Sequence, residues 1–148
     1  IATVSLMAPT LTLDTYAALY RPKILSIDDM TVYNLTDQLE LEDSVAGVYG
    51  KSILHLISRV LEDGCSDGSV VPLLGMSGDV EEANIESIDD VDFVISQGDA
   101  QRNRNSTSRR HDEFERDPAT LNHILRRILG QRPTIRFRND HFSNFSHW

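Results

Sequence analysis

Apolar residues alternate and then run together from Ile1 to Met7 before Ala8-Pro9 interrupts them, which predicts a short buried strand. Thr12 then stands as an N-cap ahead of Leu13, Tyr16, Ala17 and Tyr20 at helical spacing, and Pro22 is expected to stop that helix. Met30 to Leu35 (MTVYNL) is rich in strand formers and ends in Thr36-Asp37, so a second strand should deliver an aspartate at its C-terminal tip. Val45, Val48, Tyr49, Ser52, Ile53, Leu56, Val60 and Leu61 trace one face of a longer helix, with Glu42 and Asp43 near its start and Gly64 near its end. Val70 to Leu74 contains Pro72, which suits an edge strand or an ordered connection better than a central strand. Val91 to Ser96 (VDFVIS) is the third strand.

Between residues 97 and 113 the chain is almost wholly polar, and with nothing apolar to bury it reads as a solvated loop. Asp117-Pro118 then opens a helix as N-cap and first-turn proline. Leu121, Ile124, Leu125, Ile128 and Leu129 form its buried stripe, and Gly130 ends it behind Arg126 and Arg127. The remainder, 131–148, carries Ile135, Phe137, Phe142, Phe145 and Trp148 without a sustained period and is expected to be loosely docked or disordered. Strand, helix, strand, helix, strand, helix at these lengths implies an α/β class: a parallel sheet with right-handed crossover helices.

Composition narrows the partners. Fourteen basic against twenty-three acidic residues give a net charge of −9, which repels a phosphate backbone and argues against nucleic acid. The single cysteine, Cys65, allows no internal disulfide. No apolar run reaches the length of a spanning helix and no signal peptide opens the chain, so a cytoplasmic location is expected. Because the chain opens on Ile1 and goes straight into an apolar stretch, further sequence upstream is expected as well.

In open parallel sheets, functional groups gather beyond the carboxyl ends of the strands, where Asp37 and His111 fall. A carboxylate on one imidazole nitrogen fixes the tautomer and stabilises the imidazolium formed when the other nitrogen takes a serine proton. From pattern alone the simpler reading is a capping aspartate and a solvated histidine. The segments SLMAPT (5–10), YNLTDQLELED (33–43), YGKSILHLIS (49–58), VPLLGM (71–76) and HDEFERDPATLNHILRRILG (111–130) resemble the C-terminal half of a bacterial esterase- or lipase-like serine α/β-hydrolase. That resemblance spans residues 1–130. It implies a partial α/β-hydrolase fold without its N-terminal half, with Asp37 as the acid, His111 as the base and a small ester or acyl compound as substrate. Asp43, a little further from the same strand, is the nearest rival for the acid.

A nucleophile in this class sits in G-x-S-x-G on a strand-to-helix turn and precedes the acid. Gly64-Cys65-Ser66-Asp67-Gly68 matches the spelling, but it follows a helix and lies after Asp37, so it reads as a helix-ending turn. The serine and oxyanion hole are therefore expected upstream of Ile1, and the chain alone is expected to be inactive. Neither cofactor nor metal is expected, since His55, His123, His141 and His147 lack the paired spacing of zinc ligands.

Two other classes compete. Lys23 to Asp29 (KILSIDD) is similar to the opening strand of a phospho-receiver domain, where paired acids hold magnesium, but no later strand supplies the third acid. A non-catalytic interaction module would use the arginines of the polar loop (Arg102, Arg104, Arg109, Arg110) or the aromatic tail. Asn34-Leu35-Thr36, Asn105-Ser106-Thr107 and Asn144-Phe145-Ser146 match the glycosylation triplet.

Overall fold

Three parallel strands in the order β1-β2-β3 form the centre of the chain: β1 (Thr3–Met7), β2 (Asp29–Leu35) and β3 (Asp92–Ser96). The computed structural model describes residues 2–43, 52–61, 70–85, 91–101 and 103–145. Thr3 pairs with Asp29, and Thr31 with Asp92, so the three strands run in step and end on one side. Every residue of β2 after Asp29 is buried, as a central strand covered on both faces requires. Met30 and Val32 point to one face and meet Tyr16, Ile24, Leu74, Val80, Ile85 and Val91. Tyr33 and Leu35 point to the other and meet Leu39, Val94 and Phe114. The α/β class read from the periodicity is the one observed.

Parallel neighbours need crossovers, and these are built from short pieces. After β1 the chain winds through α1 (Leu13–Thr15), a π-helical turn to Tyr20 and a 3-10 helix over Arg21–Ser26. Thr12 is the N-cap, accepting from the Thr15 backbone N–H at 3.1 Å. Pro22 does not stop the winding, because it falls in the first turn of the 3-10 helix, where its fixed φ fits and its missing N–H is not needed. Lys23–Ser26 is therefore helical, and Asp28 and Asp29 lie at the start of β2, the end of the sheet opposite to where a receiver holds its metal. That reading is excluded.

Between β2 and β3 come α2 (Asp37–Glu42), α3 (Ile53–Leu56) with a π-helical extension to Leu61, and α4 (Ser77–Glu82). Neither α2 nor α4 stands out in the sequence pattern. Ser52 has extended backbone and its hydroxyl accepts from the His55 N–H, so α3 starts there, not at Val45. The earlier part of that expected helix, Gly64 and the Cys65-Ser66 turn lie outside the described residues. Residues 70–76 are an ordered connection: Pro72 accepts from the Leu13 N–H at 3.0 Å, and the Leu74 N–H donates to Leu11 at 2.8 Å. Gly75 passes under the β1 exit so closely that a Cβ there would stand 2.4 Å from the Pro9 carbonyl oxygen.

The final helix, α5 (Pro118–Leu129), has the ends expected of it, with Asp117 as N-cap and Gly130 left-handed at φ 65°. It crosses the sheet face holding Tyr33, whose hydroxyl meets His123 Nδ1 at 2.7 Å. At its C-terminal end Arg127 bonds Asp29 and Asp92, tying the starts of β2 and β3 together. That hydrogen bond from Arg127, opposed by partial burial, holds the Asp29 carboxyl below its usual range. The following segment is anchored by a reciprocal pair, in which Asn122 Nδ2 donates to the Phe137 carbonyl and Asn122 Oδ1 accepts the Phe137 N–H, both at 2.9 Å. Phe137 stacks on Phe142. No helix among the described residues is long and apolar enough to cross a membrane.

Candidate active site

Beyond the C-terminal ends of β2 and β3 an imidazole lies between two carboxylates. Thr36 ends β2 as an N-cap, and α2 then turns the chain so that Glu40 and Asp43, three residues apart, both reach toward the end of β3. His111 comes from a 3-10 turn, His111–Glu113. Its Nδ1 is 2.7 Å from Asp43 Oδ2, and its backbone N–H donates to the same oxygen at 3.1 Å. Arg110 Nε donates to the other Asp43 oxygen at 3.3 Å. On the opposite side of the ring, Nε2 is 3.2 Å from Glu40 Oε1, close enough for an ion pair but not aligned as a hydrogen bond. Glu40 is fully buried, and neither carboxylate oxygen has an aligned donor.

The loop from 97 to 110 that positions His111 is exposed over much of its length, as its composition implies, but it is also tied down. Ser106 and Ser108 are buried, because hydroxyls and amides there bond inward. Ser96 Oγ donates to the Ser108 carbonyl at 2.6 Å, and Asn103 Nδ2 donates to the Ile95 carbonyl at 2.7 Å. Asp117 accepts from the Thr107 N–H and hydroxyl and from the Thr120 N–H and hydroxyl, at 2.6 to 3.1 Å. A polar segment can thus be ordered by inward hydrogen bonds instead of buried carbon, although the buried Ser108 hydroxyl itself has no partner. Gly98, at φ 68°, gives the loop room, since a Cβ there would press on the Arg109 side chain at 2.9 Å. Two glycosylation triplets are spoken for: Asn34 is buried and donates to the Leu74 carbonyl, and the Thr107 hydroxyl is held by Asp117.

Asp37 is not brought to His111. It begins α2 with its carboxylate turned toward α4, where Oδ1 accepts the Ser77 hydroxyl at 3.0 Å and the Gly78 N–H at 3.1 Å. Thr36 turns the chain one residue before Asp37, so the carboxylate that meets the histidine comes two helical turns later, at Asp43. Sequence reasoning kept Asp43 as the rival acid and missed Glu40. The available signal was the spacing Asp37, Glu40, Asp43 behind an N-cap threonine, which stacks carboxylates over the strand end. Among the described residues no hydroxyl or thiol bonds the ring, and no group of three His, Cys, Asp or Glu side chains could hold a metal.

The electrostatics follow from the geometry. Burial by itself lowers the His111 pKa, but the carboxylates of Glu40 and Asp43 outweigh it and the value lies above 6.5. For Asp43, burial raises the pKa, yet the hydrogen bonds from the His111 ring and backbone and the nearby cationic charges bring it below 3.8. His111 therefore contributes stability that is complete below pH 6.5 and is lost as pH rises through its raised folded value. An NMR titration of the imidazole should show a midpoint above 6.5, Glu40→Gln should move it down, and His111→Phe should remove the loss of thermal stability on the alkaline side. A midpoint unmoved by Glu40→Gln would show that the Nε2 contact carries no energy.

Geometry thus defines the class of arrangement: a carboxylate-oriented histidine at the C-terminal ends of a parallel sheet. Compared with known protein families, characterised proteins and solved structures, the chain matches none of them.

Proposed function

We propose that the chain is the C-terminal part of an α/β-hydrolase acting on ester or related acyl bonds, and that it supplies His111 as general base and Asp43, in place of Asp37, as the orienting acid. The observation that carries this reading is the 2.7 Å contact between His111 Nδ1 and Asp43, reinforced by the His111 backbone N–H on the same oxygen. A carboxylate held this way fixes which ring nitrogen takes the proton and stabilises the imidazolium once formed. The nitrogen left to meet a serine hydroxyl is Nε2, and Glu40 competes for it. Catalysis therefore requires the serine, from sequence upstream, to reach Nε2 while the ring is neutral, so activity rises with pH across the raised His111 pKa. In the acylation step His111 removes the serine proton as the oxygen attacks the carbonyl, and then delivers it to the leaving group.

A second reading has its own observation. Both ring nitrogens face carboxylates, as they would in a structural ion pair inside a non-catalytic interaction module. One experiment separates the two: hydrolysis of a short acyl ester by this chain and by the protein extended upstream along its natural reading frame, each with His111→Ala. Activity confined to the extended form and abolished by His111→Ala is expected. A folded but silent extended protein favours the interaction module, and activity in the isolated chain refutes the missing nucleophile.

A further inference from the structure

Charge is distributed very unevenly along this acidic chain. Residues 102–138 hold ten of the fourteen basic side chains and only four of the twenty-three acidic ones. Some of these arginines are neutralised: Arg127 by Asp29 and Asp92, Arg116 by Asp112, and Arg110 by Asp43. Four others surround one cavity of about 340 Å³ on the flank of α5: Arg104 from the loop after β3, Arg126 from the helix, and Arg132 and Arg136 from the segment behind it. Among the described residues none of the four has a carboxylate within ion-pair distance. Their mutual repulsion would drive the last two away from the helix, but Asn122 clamps Phe137 through its reciprocal hydrogen bonds and keeps Arg136 at the rim. His123, buried and bonded to Tyr33, also lines the cavity.

From this arrangement we infer that the four-arginine cavity is a binding site for a phosphoryl group on a small or singly substituted ligand. Guanidinium forks match phosphate oxygens two at a time, and several of them around one concavity favour a multiply charged group over a lone carboxylate. The volume lies in the range of small-molecule sites. A long polyanion is disfavoured, because beyond this flank the chain carries nineteen acidic against four basic residues and would repel its continuation. The site is distinct from the His111 cluster, shares none of its residues, and does not depend on the hydrolase reading.

Titration of the full natural protein with pyrophosphate, followed by calorimetry and by the His123 ring signals, tests it. Binding should shift the His123 resonances and weaken with added salt. It should fall about tenfold in Arg126→Gln/Arg136→Gln and by a smaller factor in Arg104→Gln, on a separate element. A parallel arm uses vesicles of phosphatidylcholine with and without phosphatidylserine. Arginine-dependent vesicle capture in addition to pyrophosphate binding would locate the phosphoryl group on a lipid, and still support the site. Absence of any pyrophosphate response, or equal affinity in folded double variant and parent, overturns the proposal, as does vesicle binding without a pyrophosphate response.

Discussion

If the proposed hydrolase reading holds, Asp43→Asn should lower kcat/KM of the upstream-extended protein by about 10⁴-fold, while Asp37→Asn should change it by no more than about fivefold. The difference rests on position. Asp43 holds both the ring and the backbone of His111, and an asparagine there can present its amide N–H to Nδ1, stabilising the wrong tautomer. Asp37 contributes two hydrogen bonds at the start of α4, so its loss is a modest stability effect. Ester hydrolysis rates of the two variants, measured beside their melting curves, decide the matter. A large loss in Asp37→Asn with Asp43→Asn near parental activity would return the acid to Asp37.

Asp117→Ala should produce the largest loss of stability, about 3 kcal/mol, or a melting temperature roughly 10 °C lower for a domain of this size. One buried carboxylate satisfies the start of α5 and the loop that carries His111, through Thr107, Ala119 and Thr120. Removing it takes away an N-cap and strands several buried donors. Burial pushes this carboxyl's pKa up, but the bonds from Thr107 and Thr120 outweigh it, so the net pKa is lowered. Its contribution is therefore present above pH 3.8 and disappears as pH falls through the lower folded value. Denaturant unfolding of Asp117→Ala and Asp117→Asn at neutral pH should place asparagine between alanine and the parent. An alanine variant within about 0.5 kcal/mol of the parent would mean that water replaces the carboxylate.

The three strands and the ends of α5 were legible because each is set by local pattern: apolar runs of strand length, and an N-cap, proline and terminal glycine. The stripe expected to be buried in α5 is not, since Thr120 and His123 are its buried residues and Ile128 and Leu129 are exposed. The connections were not, because short helical pieces such as α2 and α4 bury too few residues to show a period. The polar loop is exposed over much of its length as expected, but its anchoring was not legible, since Ser106, Thr107 and Asp117 stabilise it through hydrogen-bond partners that no hydropathy pattern records. His111 was visible as a residue after the last strand, but which carboxylate meets it depended on the turn at Thr36, and the spacing of Asp37, Glu40 and Asp43 signals the cluster only once a helix is known to start at Thr36. The expectation of a relay came from the family resemblance and not from the pattern of residues; the contact observed is between His111 and Asp43.

The register of the sheet also constrains the order in which the protein can form. Thr31 meets Asp92 across about 60 residues of chain, and the clasp between the two strand starts, Arg127, comes later still. On a ribosome, β1 and β2 emerge long before β3 and α5, and of the side chains that cover Tyr33 and Leu35 only Leu39 follows at once, while Val94 and Phe114 come much later. While residues 36–91 are being translated, β1 and β2 therefore form a sticky half-sheet, and the demand for chaperones should be set by the time that stretch and β3 take to emerge.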